Sequence, residues 1–179
     1  AFMQKIEERI VKPTIKGIHQ DGIAYKCFVF IVLIKVGEDP YVIEYNVRMG
    51  DPETEVVIPR LQSDLVELFQ AVAQERLADF PLQIDARNAA TVVVVAGGYP
   101  ETYGKGMVIS GLETATESIV FHAGTALKEG EVVANGGRVL AVTSYGEHFT
   151  EALKKSYQTI VQLQFDTMYF RKDIGKDLL

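Results

Sequence analysis

One cysteine, Cys27, occurs among the 179 residues. No internal disulfide can form, and such a composition fits a reducing compartment, so a cytoplasmic location is expected. Basic residues are in the minority: 18 Lys and Arg stand against 24 Asp and Glu, a formal net charge of −6. The long-range positive field that draws proteins to nucleic acid is therefore missing, although a local basic site is still allowed. Long hydrophobic runs are missing too. The longest, Phe28 to Ile34, is far short of the roughly 20 residues that span a bilayer. Neither nucleic acid nor a membrane is expected as a partner, and no signal-peptide pattern is read. Hydrophobic residues make up 47% of the chain and charged residues 23%. Those are values of a folded globular chain, forming one compact domain or two small ones.

The opening, AFMQKIEERIVKPTIKGIHQDG, places Phe2, Ile6, Ile10 and Val11 at helical spacing with charges between them. A helix is already under way at the first residue, as expected of a chain that continues a longer one. Pro13 suits the first turn of a second short helix. Asp21-Gly22 ends it.

CFVFIVLIKV, Cys27–Val36, is rich in β-branched and aromatic residues and predicts a strand buried on both faces. GEDP is a turn signal. YVIEYNVR then alternates strictly, with Ile43, Tyr45 and Val47 on one face and Glu44, Asn46 and Arg48 on the other. Two strands with a short turn between them predict an antiparallel hairpin. Alternate residues of a strand lie about 6.5–7 Å apart, so three polar tips can converge on one ligand. Glu44 and Asn46 offer the hard oxygens that Mg²⁺ prefers. Arg48 cannot ligate a metal, but its planar cation suits phosphate oxygens. A bare E-x-N-x-R is nevertheless more often a solvated strand face with a Glu–Arg pair.

RMGDPETE follows. Gly50 allows a sharp turn. Asp51-Pro52 has the form of an N-cap followed by proline at the first helical position. Glu53 and Glu55 fall in the first turn, where the helix dipole favours anions. Ser63 is read as the cap of the next helix, DLVELFQAVAQERL, with a core stripe of Leu65, Leu68, Phe69, Val72 and Leu77.

Beyond Asn88 the pattern changes. ATVVVVA predicts a buried strand, and short strands are expected near 106–109, 118–121 and 131–133. Asn135-Gly136 signals a hairpin turn into RVLAVTS. One long helix is expected over EHFTEALKKSYQTIVQLQF, with Phe149, Leu153, Tyr157, Ile160, Val161 and Gln164 along its buried side. His19, His122 and His148 lack metal-ligand spacing, and His122 is read as structural. Cys27 is read as a small buried hydrophobe. Arg138 beside two glycines is either a phosphate contact or a surface cation. Tyr99 and Tyr103 are packing or surface residues.

VIEYNVRMGDPETE and LQSDLVELFQA, continued by VVVVAGGYPETYGKG, FHAGTAL, NGGRVLAVT and YFRKDIG, resemble the ATP-grasp ligases of purine synthesis known as phosphoribosylamine–glycine ligases (glycinamide ribonucleotide synthetases). The resemblance covers nearly the whole chain. It departs at Cys27 and Val32, near which the family commonly has glycine. It implies an α+β chain: the C-terminal half of an ATP-grasp domain over 1–86, then a small β-rich domain with one long helix over 87–179. It implies ATP, glycine and 5-phosphoribosylamine as substrates, Mg²⁺ or Mn²⁺ as cofactor, and a missing N-terminal part of the same enzyme as partner. Glu44 and Asn46 would hold the metal, and Arg48 would contact the transferring phosphoryl group or the acyl phosphate. Asp51 and Glu53 would orient the amine substrate, alongside their reading as a helix start. In this family a Gly-rich loop and a lysine-bearing strand cover the ATP phosphates; no such loop is found here, and the chain alone is expected to be inactive. Two alternatives stay open: another ATP-grasp carboxylate–amine ligase or carboxylase, and a non-catalytic interaction module.

Overall fold

The structure, a computed structural model, describes residues 2–178. It is α+β, with antiparallel sheets and few helices. Its residues group into two compact units, Ala1–Asp51 with Ser63–Leu82, and Pro52–Gln62 with Gln83–Leu179.

The first unit opens with α1 (Phe2–Ile6), a π-helical stretch (Glu7–Val11) and α2 (Lys12–Gln20). Pro13 lies in the first turn of α2, where its missing N–H has no helical partner to lose. Asp21 caps the end, and Gly22 follows at φ +67°. Strands β1 (Phe30–Val36) and β2 (Asp39–Asn46) then form the expected hairpin, turning at Gly37 (φ +59°). Its register shifts between Val32 and Leu33, so Ile43 is the extra residue on β2. Burial on both faces is not observed. The sheet has two strands, β1 begins at Phe30, and Ile34 and Val36 are 50% and 57% exposed. The apolar run specifies strand conformation; it carries no information about how many layers cover it.

Helix α4 (Leu65–Ala73) is capped by Asp64, not Ser63: the carboxylate accepts from the N–H groups of Val66 and Glu67 at 2.8 and 2.9 Å. An acidic cap also complements the helix dipole. The helix stops at Ala73 because Glu75 takes a left-handed conformation, φ +60°. Leu77 therefore lies outside it, and Leu68 and Ala71 carry the burial while Phe69 stays half exposed.

The second unit is built on a four-stranded antiparallel sheet in the order β4-β7-β3-β8. These strands are β3 (Asn88–Ala96), β4 (Ile119–His122), β7 (Arg138–Gly146) and β8 (Met168–Phe170). β5 (Thr125–Lys128) and β6 (Glu131–Ala134) pair as a separate hairpin, closed by Glu129 and Gly130, both at positive φ. Asn135-Gly136 is not a hairpin turn. It carries the chain out of β6 and into β7, whose partners are β3 and β4. There Gly124 and Gly136 meet backbone to backbone, and Asn135 N–H donates to the Gly124 carbonyl at 2.7 Å. A Cβ at Gly137 would strike the Tyr99 ring. Both glycines preceding Arg138 are thus explained by close packing.

Helix α5 (Phe149–Ile160) covers one face of β3 and β7. Its buried side is Ala152, Leu153, Ser156, Thr159 and Ile160; Val161 is 68% exposed and Gln164 lies beyond the helix, contrary to the expected stripe. Val92, Val94, Val139, Leu140, Val142, Ile160 and Leu163 form the core, each buried to 1% or less exposure. On the Ser144 side of β7 a hydroxyl chain links Ser118, Ser144, Ser156 and Thr159 at 2.6–2.9 Å. The other side, carrying Thr143 and Tyr145, meets α3 (Thr54–Arg60).

Candidate active site

Glu44 and Asn46 lie on the same side of β2, and the Asn46 side-chain amide donates to the Glu44 carboxylate at 2.9 Å. The spacing of two along a strand delivers this juxtaposition directly. Glu44 is exposed and Asn46 half-buried. Arg48 lies past the end of β2 in a bend, exposed, and its Nη1 donates to the Met49 carbonyl at 2.9 Å. The expected row of three is therefore a pair on the strand followed by a cation on the turn. The Tyr25 hydroxyl pins this end of the hairpin, lying 2.7 Å from the Phe28 carbonyl and 3.0 Å from that of Val47. Burial, reinforced by the neighbouring Cys27 thiol, pushes the Tyr25 phenol above its ordinary range.

Cys27 is exposed, which corrects its reading as a buried hydrophobe. It precedes β1, in irregular chain that no sheet partner covers.

Among the described residues no group of three or more His, Cys, Asp or Glu side chains could hold a metal by itself. The Glu44–Asn46 pair nonetheless fits a hard cation of one habit. Mg²⁺ commonly takes one or two protein oxygens and completes its octahedron with water and substrate phosphates. A carboxylate and an amide side by side on an open surface suit a metal that arrives with a nucleotide.

RMGDPETE folds differently from its expected helix start. α3 begins at Thr54, and Asp51, Pro52 and Glu53 form the turn before it. The Glu53 carbonyl accepts from the N–H groups of Val56 and Val57, both at 3.0 Å. Asp51 and Glu53 are both exposed.

Sequence reasoning missed the residues that hold α3. Arg60 donates through Nε and Nη2 to the Asp85 carbonyl at 3.2 and 2.9 Å, and the Asp85 N–H donates back to the Arg60 carbonyl at 2.7 Å. Arg87 lies 4.5 Å over the Tyr145 ring. Asp85 and Arg87 are two residues apart, but the other contacts join residues 25 to 88 apart. His122 Nδ1 lies 3.1 Å from Thr125 Oγ1 at a strand end, in keeping with a structural role. Tyr99 and Tyr103 meet edge to face at 5.9 Å.

Residues 1–54 match the family model described as phosphoribosylglycinamide synthetase, ATP-grasp (A) domain, and residues 89–177 match the C domain of the same synthetase. The chain belongs to the phosphoribosylamine–glycine ligase family. It is 38% identical over 173 residues to a phosphoribosylamine–glycine ligase of Caldanaerobacter subterraneus, covering 97% of this chain and 42% of that protein. A ligase of the same name from Synechocystis is 41% identical over 183 residues, covering 100% of this chain and 44% of the relative. A trifunctional purine biosynthetic protein of Gallus gallus is 43% identical over 177 residues, covering 97% and 18%. The crystal structure of the Thermotoga maritima ligase superposes with a TM-score of 0.84 at 35% identity, over 96% of this chain and 42% of that one. The chain thus spans about two fifths of the length of these single-function ligases. Both Glu44 and Asn46 fall inside the stretch matched to the family's ATP-grasp domain, as do Arg48, Asp51 and Glu53.

Proposed function

We propose that the chain is part of an ATP-dependent ligase that joins glycine to 5-phosphoribosylamine, giving ADP, phosphate and glycinamide ribonucleotide. The observation that carries this reading is the Glu44–Asn46 pair, 2.9 Å apart inside the ATP-grasp match and followed by Arg48 on the adjoining bend. The glycine carboxylate attacks the γ-phosphoryl group of ATP and expels ADP. The amine of phosphoribosylamine then attacks the glycyl carbonyl and phosphate leaves. Charge spreads over phosphoryl oxygens during such a transfer, and fixed cationic groups stabilise it.

Each residue has a part suited to its chemistry. Glu44 and Asn46 hold Mg²⁺ or Mn²⁺, which when bound neutralises phosphate charge. Arg48 binds the transferring phosphoryl oxygens, and its bond to the Met49 carbonyl fixes the guanidinium at the turn. Asp51 and Glu53 orient the amine. The sequence division into 1–86 and 87–179 is supported by the C-domain match, which starts at residue 89. A chain of this extent does not turn over by itself; it acts with the N-terminal remainder found in its relatives, in the cytoplasm. No helix among the described residues is long and apolar enough to cross a membrane.

The test is ADP release by the complete ligase carrying this sequence, with Mg²⁺, glycine and freshly generated phosphoribosylamine each omitted in turn. Release that needs all three is expected. Release driven by bicarbonate in place of glycine would assign the chain to an ATP-grasp carboxylase, and none from folded protein would leave an interaction module. Glycine-dependent ADP release by residues 1–179 alone would overturn the prediction of inactivity.

A further inference from the structure

Helix α3 cannot hold its own place. Seven residues are too few for a helix to be stable in isolation. Pro59 inside it has no N–H, so the Glu55 carbonyl loses its helical donor. The carbonyls of Pro59 and Arg60 are orphaned as well, because they end the helix. Each of the three is met from the sheet or from the segment leading into it. Thr143 Oγ1 donates to the Glu55 carbonyl at 2.9 Å, and the Tyr145 hydroxyl to the Pro59 carbonyl at 2.6 Å. The Asp85 N–H donates to Arg60 at 2.7 Å. Thr143 is fully buried, and its strand is locked between β3 and β4. The hydroxyl row on β7 therefore sets where α3 lies and how it is turned about its axis.

We propose that Thr143 and Tyr145 are positioning residues for the amine substrate, acting through α3 on Glu53. The inference rests on the ligase reading and on Glu53 as the group that orients the amine. Glu53 is tied into the first turn of α3 through its carbonyl, which accepts from Val56 and Val57. A rotation or slide of the helix moves that residue with it. Catalytic geometry tolerates little such movement: a displacement of about 1 Å can cost up to about a hundredfold in rate. Glu44 and Asn46, which hold the metal in this reading, are bonded to each other and belong to the other compact unit. Loss of the hydroxyls should weaken amine use selectively.

The experiment compares Thr143→Val, which keeps shape and removes the donor, with Thr143→Ser, which keeps the donor, in the complete ligase. Wild-type enzyme is assayed first. Failure of its ADP release to depend on the amine refutes the ligase reading, whatever the variants do. With an active wild type, Thr143→Val is expected to raise KM for phosphoribosylamine about tenfold and to leave KM for ATP within about twofold. Thr143→Ser should restore both to within about twofold. In a Glu53→Gln background Thr143→Val should add less than about twofold, since both act on one contact. Unchanged amine KM, an equal rise for ATP, or full additivity with Glu53→Gln overturns the proposal. If Thr143→Val does not fold, Tyr145→Phe carries the same criteria. It keeps the ring under Arg87 and loses only the bond to Pro59.

Discussion

Arg87 closes a three-pronged grip on Asp85. Its backbone N–H reaches Oδ1 at 2.9 Å, Nε lies 3.1 Å from both carboxylate oxygens, and Nη2 reaches Oδ2 at 2.6 Å. The side-chain bonds of Arg87, and then its backbone N–H, hold the Asp85 carboxyl down at about 2, against an ordinary 3.8. The fold therefore prefers the ionised form. Its stabilisation is fully present above the ordinary value and is lost as pH falls through about 2. Thermal unfolding of wild type and Asp85→Asn, followed by circular dichroism from about pH 6 to about pH 2, should show the wild-type advantage shrinking across the acid end. A gap between the two midpoints that does not change with pH would mean that Asp85 acts by shape alone.

The second unit stands on its core. Leu140 and Ile160 are fully buried, one on the central strand β7 and the other at the end of α5. Truncating either side chain removes apolar contacts and leaves a cavity that close-packed neighbours fill only in part. Leu140→Ala and Ile160→Ala are each expected to cost about 2–5 kcal/mol in urea unfolding. By contrast, Val161→Ala should change stability by less than about 0.5 kcal/mol, because its side chain is largely in solvent. A large loss at Val161 would contradict the observed boundary of the helix.

How much of this was legible beforehand follows from which physics is local. The turn at Gly37, the hairpin, the valine strand β3 and the helix α5 are written in alternation and helical periodicity. Glu44 and Asn46 lie side by side because a strand's repeat of two brings them together without any tertiary information. Covering layers are not written locally, so β1 read as buried when it is half exposed. Asn135-Gly136 permits a tight turn but does not name the strand it leads to, and here it leads to a different sheet. Asp64 and Ser63 are both good caps one residue apart, and the helix took the acidic one. The support of α3 was invisible because Thr143 and Tyr145 lie more than 80 residues downstream of the carbonyls they satisfy.

Glu44→Ala in the complete ligase should raise the Mg²⁺ concentration needed for half-maximal ADP release by about tenfold or more, if its carboxylate holds the metal as proposed. Folding should be spared: Glu44 is exposed, and changes of that kind usually stay within about ±0.5 kcal/mol. Asn46→Leu should act in the same direction by deleting the neighbouring oxygen. The measurement is ADP release against Mg²⁺, with Mn²⁺ binding followed by electron paramagnetic resonance as a second readout. Unaltered metal dependence in both variants would return the pair to a solvated strand face, and unfolding of Glu44→Ala would make it structural.

Arg48→Lys separates charge from shape. Both side chains are cations on an exposed bend, so net charge and folding should be preserved. Guanidinium offers a rigid fork that can hold two phosphoryl oxygens at once while still donating to the Met49 carbonyl; an ammonium is a mobile point charge. If Arg48 meets charge that develops during transfer, the loss falls on kcat and kcat/KM together, and KM for ATP moves little. We expect kcat to fall about tenfold or more, in line with the removal of one fixed donor from a charged transition state. Steady-state kinetics with ATP varied at saturating glycine and amine read this directly. A fully active lysine enzyme would show that positive charge alone suffices, and a rise confined to KM for ATP would move Arg48 from the reacting phosphoryl group to ground-state nucleotide binding.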